Sequence, residues 1–124
     1  MRALVLALTM IATPAAAADQ FDLVCEGKVG ALSFSARYRV NLATREWCED
    51  SCERTRGISA VTARTIVLYN KLKASDLDSE ARISINRETG EWSDYYSSPD
   101  QGWDEIGKCE VAPFSGFPVV KRKF

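Results

Sequence analysis

Histidine is absent from all 124 residues of the chain. That removes the commonest general base, the Ser–His and Cys–His nucleophile pairs, and the commonest metal ligand. No glycine-rich phosphate loop is present. Neither charge sign dominates: 16 Lys and Arg stand against 17 Asp and Glu, whereas a nucleic-acid binder shows a strong basic excess. The one basic run, Lys121-Arg122-Lys123, lies at the extreme C-terminus, where a frayed, solvated tail is expected. Long helical patterns and internal repeats are missing too. Beyond the first residues, no apolar run approaches the roughly 20 residues of a membrane-spanning helix. These absences predict no metal, no cofactor, no nucleic-acid partner and no stable membrane insertion.

What the chain does carry begins at its start. Met1-Arg2 is a short positive segment, Ala3 to Ala12 is apolar, Thr13-Pro14 breaks the run, and Ala15 to Ala18 are small. A charged start, an apolar run too short to span a bilayer and an Ala-x-Ala site form a secretory signal peptide. Cleavage is expected after Ala18. Residues 1–18 are then the signal peptide and 19–124 a single β domain with an extended C-terminal tail, placed in the periplasm or secreted. The domain would keep 106 of the 124 residues, enough for one modest core.

All four cysteines, Cys25, Cys48, Cys52 and Cys109, lie beyond the signal peptide. An even number in a small exported domain reads as two disulfides. Four cysteines allow three pairings, and sequence does not choose among them. We expect Cys25–Cys109, joining the opening strand to the closing one, and Cys48–Cys52, stapling a short acidic turn. A redox role for Cys48-x-x-x-Cys52 is disfavoured by Glu49, Asp50 and Glu53, because acidic neighbours raise a thiol pKa. A four-Cys zinc site needs reduced thiolates, which an oxidising compartment does not supply.

The remaining pattern is that of strands. Phe21, Leu23, Cys25, Gly27 and Val29 share one face. Leu32, Phe34, Ala36, Tyr38, Val40 and Leu42 alternate with mostly polar residues, the period of a strand with one dry face. A turn at 43–46 leads to a short strand around Trp47-Cys48, and 49–57 reads as a charged loop. Ile58–Val61 and Thr65–Tyr69 flank a turn, and 70–79 reads as a loop or a single helical turn. Ala81–Asn86 and Glu91–Tyr96 form a hairpin about Arg87-Glu88-Thr89-Gly90. Residues 97–102 form a turn cluster, and Trp103–Val111 is the closing strand. Pro113 and Pro118 keep the segment between them out of a central strand, leaving a tail whose aromatics would cap one end of the core. The predicted fold is all-β: an antiparallel meander of about seven or eight short strands, closed as a small barrel or stacked as a sandwich, stapled by disulfides.

Candidate chemistry is thin. Three acidic groups occur, Glu49/Asp50/Glu53, Asp76/Asp78/Glu80 and Asp100/Asp104/Glu105, and their spacing singles out no catalytic pair. No catalytic residue is assigned. Trp92, Tyr96 and Trp103 cluster late in the chain as candidate ligand-contact aromatics. Trp92 and Tyr96 share one strand face, and Tyr95 takes the other.

Three segments carry a resemblance: Phe21-x-x-x-Cys25-x-Gly27, the hairpin Ile85-Asn86-Arg87-x-Thr89-Gly90, and Gly107-x-Cys109 followed by Pro113-Phe-Ser-Gly-Phe-Pro118. Together they resemble a family of small exported bacterial β-domain proteins. The resemblance implies a periplasmic β domain with a bridge between first and last strands, and brings no activity with it. More loosely, the chain is similar in architecture to periplasmic inhibitors of C-type lysozyme, which use a Ser-Gly-x-x-Tyr loop. The only Ser-Gly here is Ser115-Gly116, with no Tyr three residues on. The expected function is a non-catalytic binding or accessory module of the envelope with a protein or glycan partner. The alternatives are an inhibitor of a cell-wall hydrolase such as lysozyme, and a small carboxylate-dependent enzyme.

Overall fold

The computed structural model describes residues 18–119; residues 1–17 of the expected signal peptide and the Lys121-Arg122-Lys123 run lie outside the described residues. Period-two patterning resolves into nine strands. They are β1 (Gln20–Val29), β2 (Leu32–Asn41), β3 (Glu46–Glu49), β4 (Arg56–Gly57), β5 (Ala60–Val61), β6 (Thr65–Lys71), β7 (Glu80–Asn86), β8 (Glu91–Ser97) and β9 (Gly102–Ala112). The count exceeds the expected seven or eight because of β4, a two-residue strand inside the segment read as a charged loop; β5 lies within the expected strand at Ile58–Val61. No helix occurs among the described residues; Asn70 and Lys71 extend β6, and 72–79 is loop and turn.

All nine strands join one antiparallel sheet in the order β4-β3-β2-β1-β9-β8-β7-β6-β5. Laid flat, its edge strands β4 and β5 would stand eight spacings apart, roughly 38 Å at about 4.8 Å each. Yet only Ile58 and Ser59 separate them in the chain, a reach of about 11 Å at the trans Cα spacing. The sheet must therefore curl until its edges approach, and the result is a half-barrel. The linking residues tie both sides: the Ile58 amide donates to Arg45 O beside β3, and the Ser59 amide donates to Val67 O on β6. Of the barrel and sandwich expected from sequence, the curled sheet is the one formed.

The concave face holds the core. Leu23, Cys25, Tyr38, Val40, Trp47, Ile66, Leu68, Ile83, Ile85 and Trp92 are buried there. Aromatic rings cross it in sequence: Phe34 to Trp92 at 5.4 Å, Trp92 to Tyr38 at 6.3 Å, Tyr38 to Trp47 at 6.0 Å between centroids. Rings of this size fit a tightly curled sheet only where the strand beneath lacks a side chain. Gly27 and Gly107 face each other across β1 and β9 at that point. A Cβ on Gly27 would lie 2.9 Å from the Phe34 ring, and one on Gly107 would overlap the Glu26 carbonyl.

Both disulfides of the expected pairing form, and no free cysteine occurs among the described residues. Cys25 and Cys109 are directly opposite on β1 and β9, so the bridge fastens the first strand to the last across 84 residues of chain. Disulfides of this kind belong to an oxidising, non-cytoplasmic setting. No helix among the described residues is long and apolar enough to cross a membrane.

Turn chemistry follows the sequence. The Asn86 side-chain oxygen accepts from the Glu88 and Thr89 amides, and Gly90 takes φ 77° to close the hairpin. Asn41 does the same for Ala43 and Thr44 at the β2–β3 turn. Two expectations are corrected. Leu32, expected on the dry face, is 74% exposed because it sits at the tip of the β1–β2 hairpin, beyond the reach of the core. The aromatics of the C-terminal tail do not cap a barrel end. Phe114 and Phe117 pack edge-to-face on each other at 5.1 Å, and the tail runs along the outer face of β1 and β2.

Candidate functional site

That outer face carries the most constrained polar group described. Asp22 lies on the side of β1 expected to be wet, yet it is fully buried. Its carboxylate accepts from Arg37 Nε at 2.8 Å, from the Ser115 amide at 3.1 Å and from Ser115 Oγ at 2.6 Å. Burial pushes the carboxyl up, but the Ser115 bonds and the Arg37 guanidinium outweigh it and hold Asp22 below its ordinary pKa. Arg39 completes the strap, donating to Gly116 O at 3.0 Å and to Asp50 at 2.8 Å. Ser115-Gly116, the one dipeptide shared with the inhibitor loop, is thus bound flat to the sheet. Both oxygens of the Asp22 carboxylate are engaged in holding the tail, and the group is buried away from any ligand.

The concave face is different at its open end, where β3 and β8 finish and β9 starts. Tyr96 and Trp103 pair directly across β8 and β9, and their rings stack at 4.4 Å and 21°. Trp103 remains 43% exposed. Trp92, also expected to meet a ligand, is instead wholly buried in the core between Phe34 and Tyr38. Tyr95 points to the outer face, as expected, and its hydroxyl donates to Glu80 at 2.7 Å.

Three carboxylates share the concave side with these rings. Glu49 pairs with Tyr38 across β2 and β3, and Asp94 pairs with Glu105 across β8 and β9. Asp50 and Asp78, which belong to the acidic groups of the sequence, are engaged by Arg39 and Lys71. Glu49, Asp94 and Glu105 have no such partner among the described residues. Burial raises the Asp94 pKa, the Glu49 charge adds to this, and the Trp103 indole partly offsets both. Burial and the Asp94 charge raise Glu105 in the same way. Beneath them, burial and the Asp94, Glu49 and Glu105 charges hold the Tyr38 phenol far above its ordinary pKa, so it stays protonated. The Tyr38 hydroxyl and Trp92 Nε1 are both buried and make no hydrogen bond of full geometry among the described residues, but the Trp92 indole faces that hydroxyl and partly offsets the rise in its pKa. Sequence reading missed Asp94 entirely, because it stands alone between Ser93 and Tyr95 and only the β8–β9 register brings it to Glu105.

The opposite end of the half-barrel holds a cavity of about 480 Å³ lined by Phe21, Leu23, Ile66, Ile85 and Val111, with Arg87 and Glu88 at its rim. A notch of about 410 Å³ lies between the Cys48–Cys52 turn and Arg56. No group of three or more Cys, Asp or Glu side chains among the described residues is placed to hold a metal ion.

Compared with family models, with curated proteins and with solved structures, the chain matches none.

Proposed function

We propose that this chain is an exported, non-catalytic binding module of the cell envelope, periplasmic or secreted, whose protein or glycan partner is taken at the open end of the concave face. One observation supports this above the rest: the Tyr96–Trp103 stack presents a half-exposed indole beside three carboxylates that no cation neutralises among the described residues. A half-exposed aromatic supplies apolar area and a directional face to a ligand. The rigid strands beneath position it at low entropic cost. The test is amide chemical-shift mapping of the protein during titration with envelope fractions and glycans. Shifts should gather on residues 94–96, 103–105 and 49, and Trp103→Ala should abolish them. Shifts confined to the tail or to the opposite cavity would place the partner elsewhere and defeat the reading.

A second reading, a small carboxylate-dependent enzyme, draws on one fact: Asp94 and Glu105 are cross-strand neighbours, both with raised pKa values. Such a pair is the minimum set for acid–base hydrolysis of a glycoside. Turnover of a glycan that disappears in both Asp94→Asn and Glu105→Gln would establish it in place of simple binding.

A further inference from the structure

The formal edges of the sheet are blunted. β4 and β5 are two residues long, and β6 carries a bulge between Val67 and Tyr69. Short or bulged edges offer little to another strand. One edge is left open. β3 covers β2 only from Tyr38 to Asn41, so the stretch from Leu32 to Ala36 is paired by β1 alone among the described residues. We propose that two copies of this chain pair through that edge, β2 against β2, antiparallel about a two-fold axis at Phe34.

The backbone sets the register. Arg37 O turns toward β3, where it accepts from the Asp50 amide, and the Leu42 amide turns the other way, to Asp19 O just before β1. Successive residues of a strand alternate in this direction, so Ser33 and Ser35 aim their N–H and C=O away from β1. None of those four groups is bonded to another described residue. A depression of about 440 Å³ beside them is lined by Glu26 to Lys28 and Ser33 to Ser35, all from this one hairpin. Pairing centred on Phe34 sets Ser33 opposite Ser35 of the second copy and Ser35 opposite its Ser33. All the free groups are then used. A register shifted toward β3 would need Arg37 O, which the Asp50 amide already holds.

The side chains agree with this register. Residues 29–36, Val-Gly-Ala-Leu-Ser-Phe-Ser-Ala, contain no charge and no proline, the devices that keep an edge from pairing with its own kind. Phe34 meets its own copy at a non-hydrogen-bonded position, where side chains lie closest. Leu32, exposed in the single chain, falls beside Ala36 of the second copy. On the outer face Glu26 neighbours Ser35, and Lys28 neighbours Ser33. The two-fold therefore aligns Glu26 and Ser35 with Ser33 and Lys28 of the second copy. Opposite charges face each other twice across a trough of serines, three strand spacings or about 14 Å apart at the backbone. Their long side chains bring the charges within the range over which exposed groups act, about 10 Å. A foreign strand would have to carry its own match to this pattern, whereas β2 supplies it by symmetry.

Sedimentation velocity of the disulfide-bonded protein over a concentration series tests this. The expected result is reversible dimerisation with a Kd between about 10 μM and 1 mM, the strength of a small interface. Ser35→Pro removes an N–H that points away from β1 and so spares the hairpin. It should weaken dimerisation about tenfold or more, as should Leu32→Lys. Lys28→Glu should weaken it too, and adding Glu26→Lys should restore it, because the two-fold row of charges is then reversed as a whole. Leu77→Lys, at an exposed leucine away from β2, should dimerise as the parent does. Unfolding midpoints taken alongside confirm that each variant is folded. A parent that stays monomeric at about 1 mM overturns the proposal. So does a dimer indifferent to both Ser35→Pro and Leu32→Lys, which assembles through another surface. If the parent is monomeric and an unrelated extended peptide slows exchange of the Ser33 and Ser35 amides, the edge takes a foreign strand and self-pairing falls.

Discussion

Replacing Asp22 with Asn keeps the shape of the side chain and removes its charge, and the structure allows the cost to be worked out. One carboxylate oxygen accepts from Arg37 Nε and Ser115 Oγ, and the other accepts from the Ser115 amide. Asn offers one acceptor and one donor. If its amide nitrogen faces the Ser115 amide, two donors meet. If it faces the other way, it meets the Arg37 guanidinium, and Ser115 Oγ must turn to accept. Bonds to a charged group contribute about 1.5–3 kcal/mol each. The Arg37 side chain is 41% exposed and recovers water, so its share is no more than about 1 kcal/mol. The Ser115 bonds dominate. Allowing about 1 kcal/mol for the neutral bond that Asn retains, Asp22→Asn should cost about 2–3 kcal/mol, or roughly 10–20 °C in Tm for a domain of this size.

The pH dependence follows from the direction of the shift. The folded-state pKa of Asp22 lies below its ordinary value of 3.8. Its contribution is therefore complete above that value and is lost as pH falls through the folded pKa. The parent and Asp22→Asn should differ fully at pH 7 and at pH 5, and the difference should shrink as pH falls below 3.8 and on through the folded-state pKa. Urea unfolding at several pH values measures this, and the double cycle with Ser115→Ala should give a coupling of about 1 kcal/mol or more. Equal midpoints at pH 7, or a difference that persists undiminished at pH 2, would refute the account of the strap.

Gly107→Ala should cost about 1–3 kcal/mol because its Cβ overlaps the Glu26 carbonyl on the neighbouring strand. Gly57→Ala, with nothing within 4 Å, should change stability by less than about 0.5 kcal/mol, and denaturant midpoints separate the two. Removing Cys25–Cys109, which closes 84 residues of chain, should cost about 4–5 kcal/mol in the chain-entropy model. Removing Cys48–Cys52 should cost only about 2 kcal/mol. The reverse ranking would mean that the acidic turn, and not the first-to-last fastening, carries the stability. Trp92→Ala empties the centre of the core and should cost about 3–5 kcal/mol. Trp103→Ala removes a half-exposed ring and should cost under about 1.5 kcal/mol, so calorimetric melting should rank them far apart.

The sheet was legible because its determinants are local. Alternation over Leu32–Leu42 places one side of β2 against the core whatever its neighbours are, and Asn86 and Gly90 specify their own turn. Pairing of Cys25 with Cys109 was legible at one remove, since a meander whose last strand returns to its first puts them together. What stayed hidden depends on what covers a strand from outside. Asp22 sits in an alternating segment on the polar side, and pattern alone predicts that it is hydrated. Only the tail, folding back through Ser115, takes it out of water. Leu32 errs in the opposite direction for the same reason, since no covering element reaches the hairpin tip.

The open end escaped the sequence for a stronger reason. Glu49, Asp94 and Glu105 are far apart in the chain, and Asp94 belongs to no acidic group at all. Their meeting requires the strand order, the β8–β9 register and the curl that brings β3 over β8. The curl has an identifiable origin in the two-residue link at Ile58 and Ser59, which holds the sheet's edges to about 11 Å, together with the facing glycines Gly27 and Gly107 that let the rings cross the concave side. Lengthening the 58–59 link would relax the curl and move β3, with Glu49, away from Asp94, while leaving every local strand signal unchanged. The candidate site is therefore a property of closure, and the residues that control it lie neither among its carboxylates nor beside its aromatic stack.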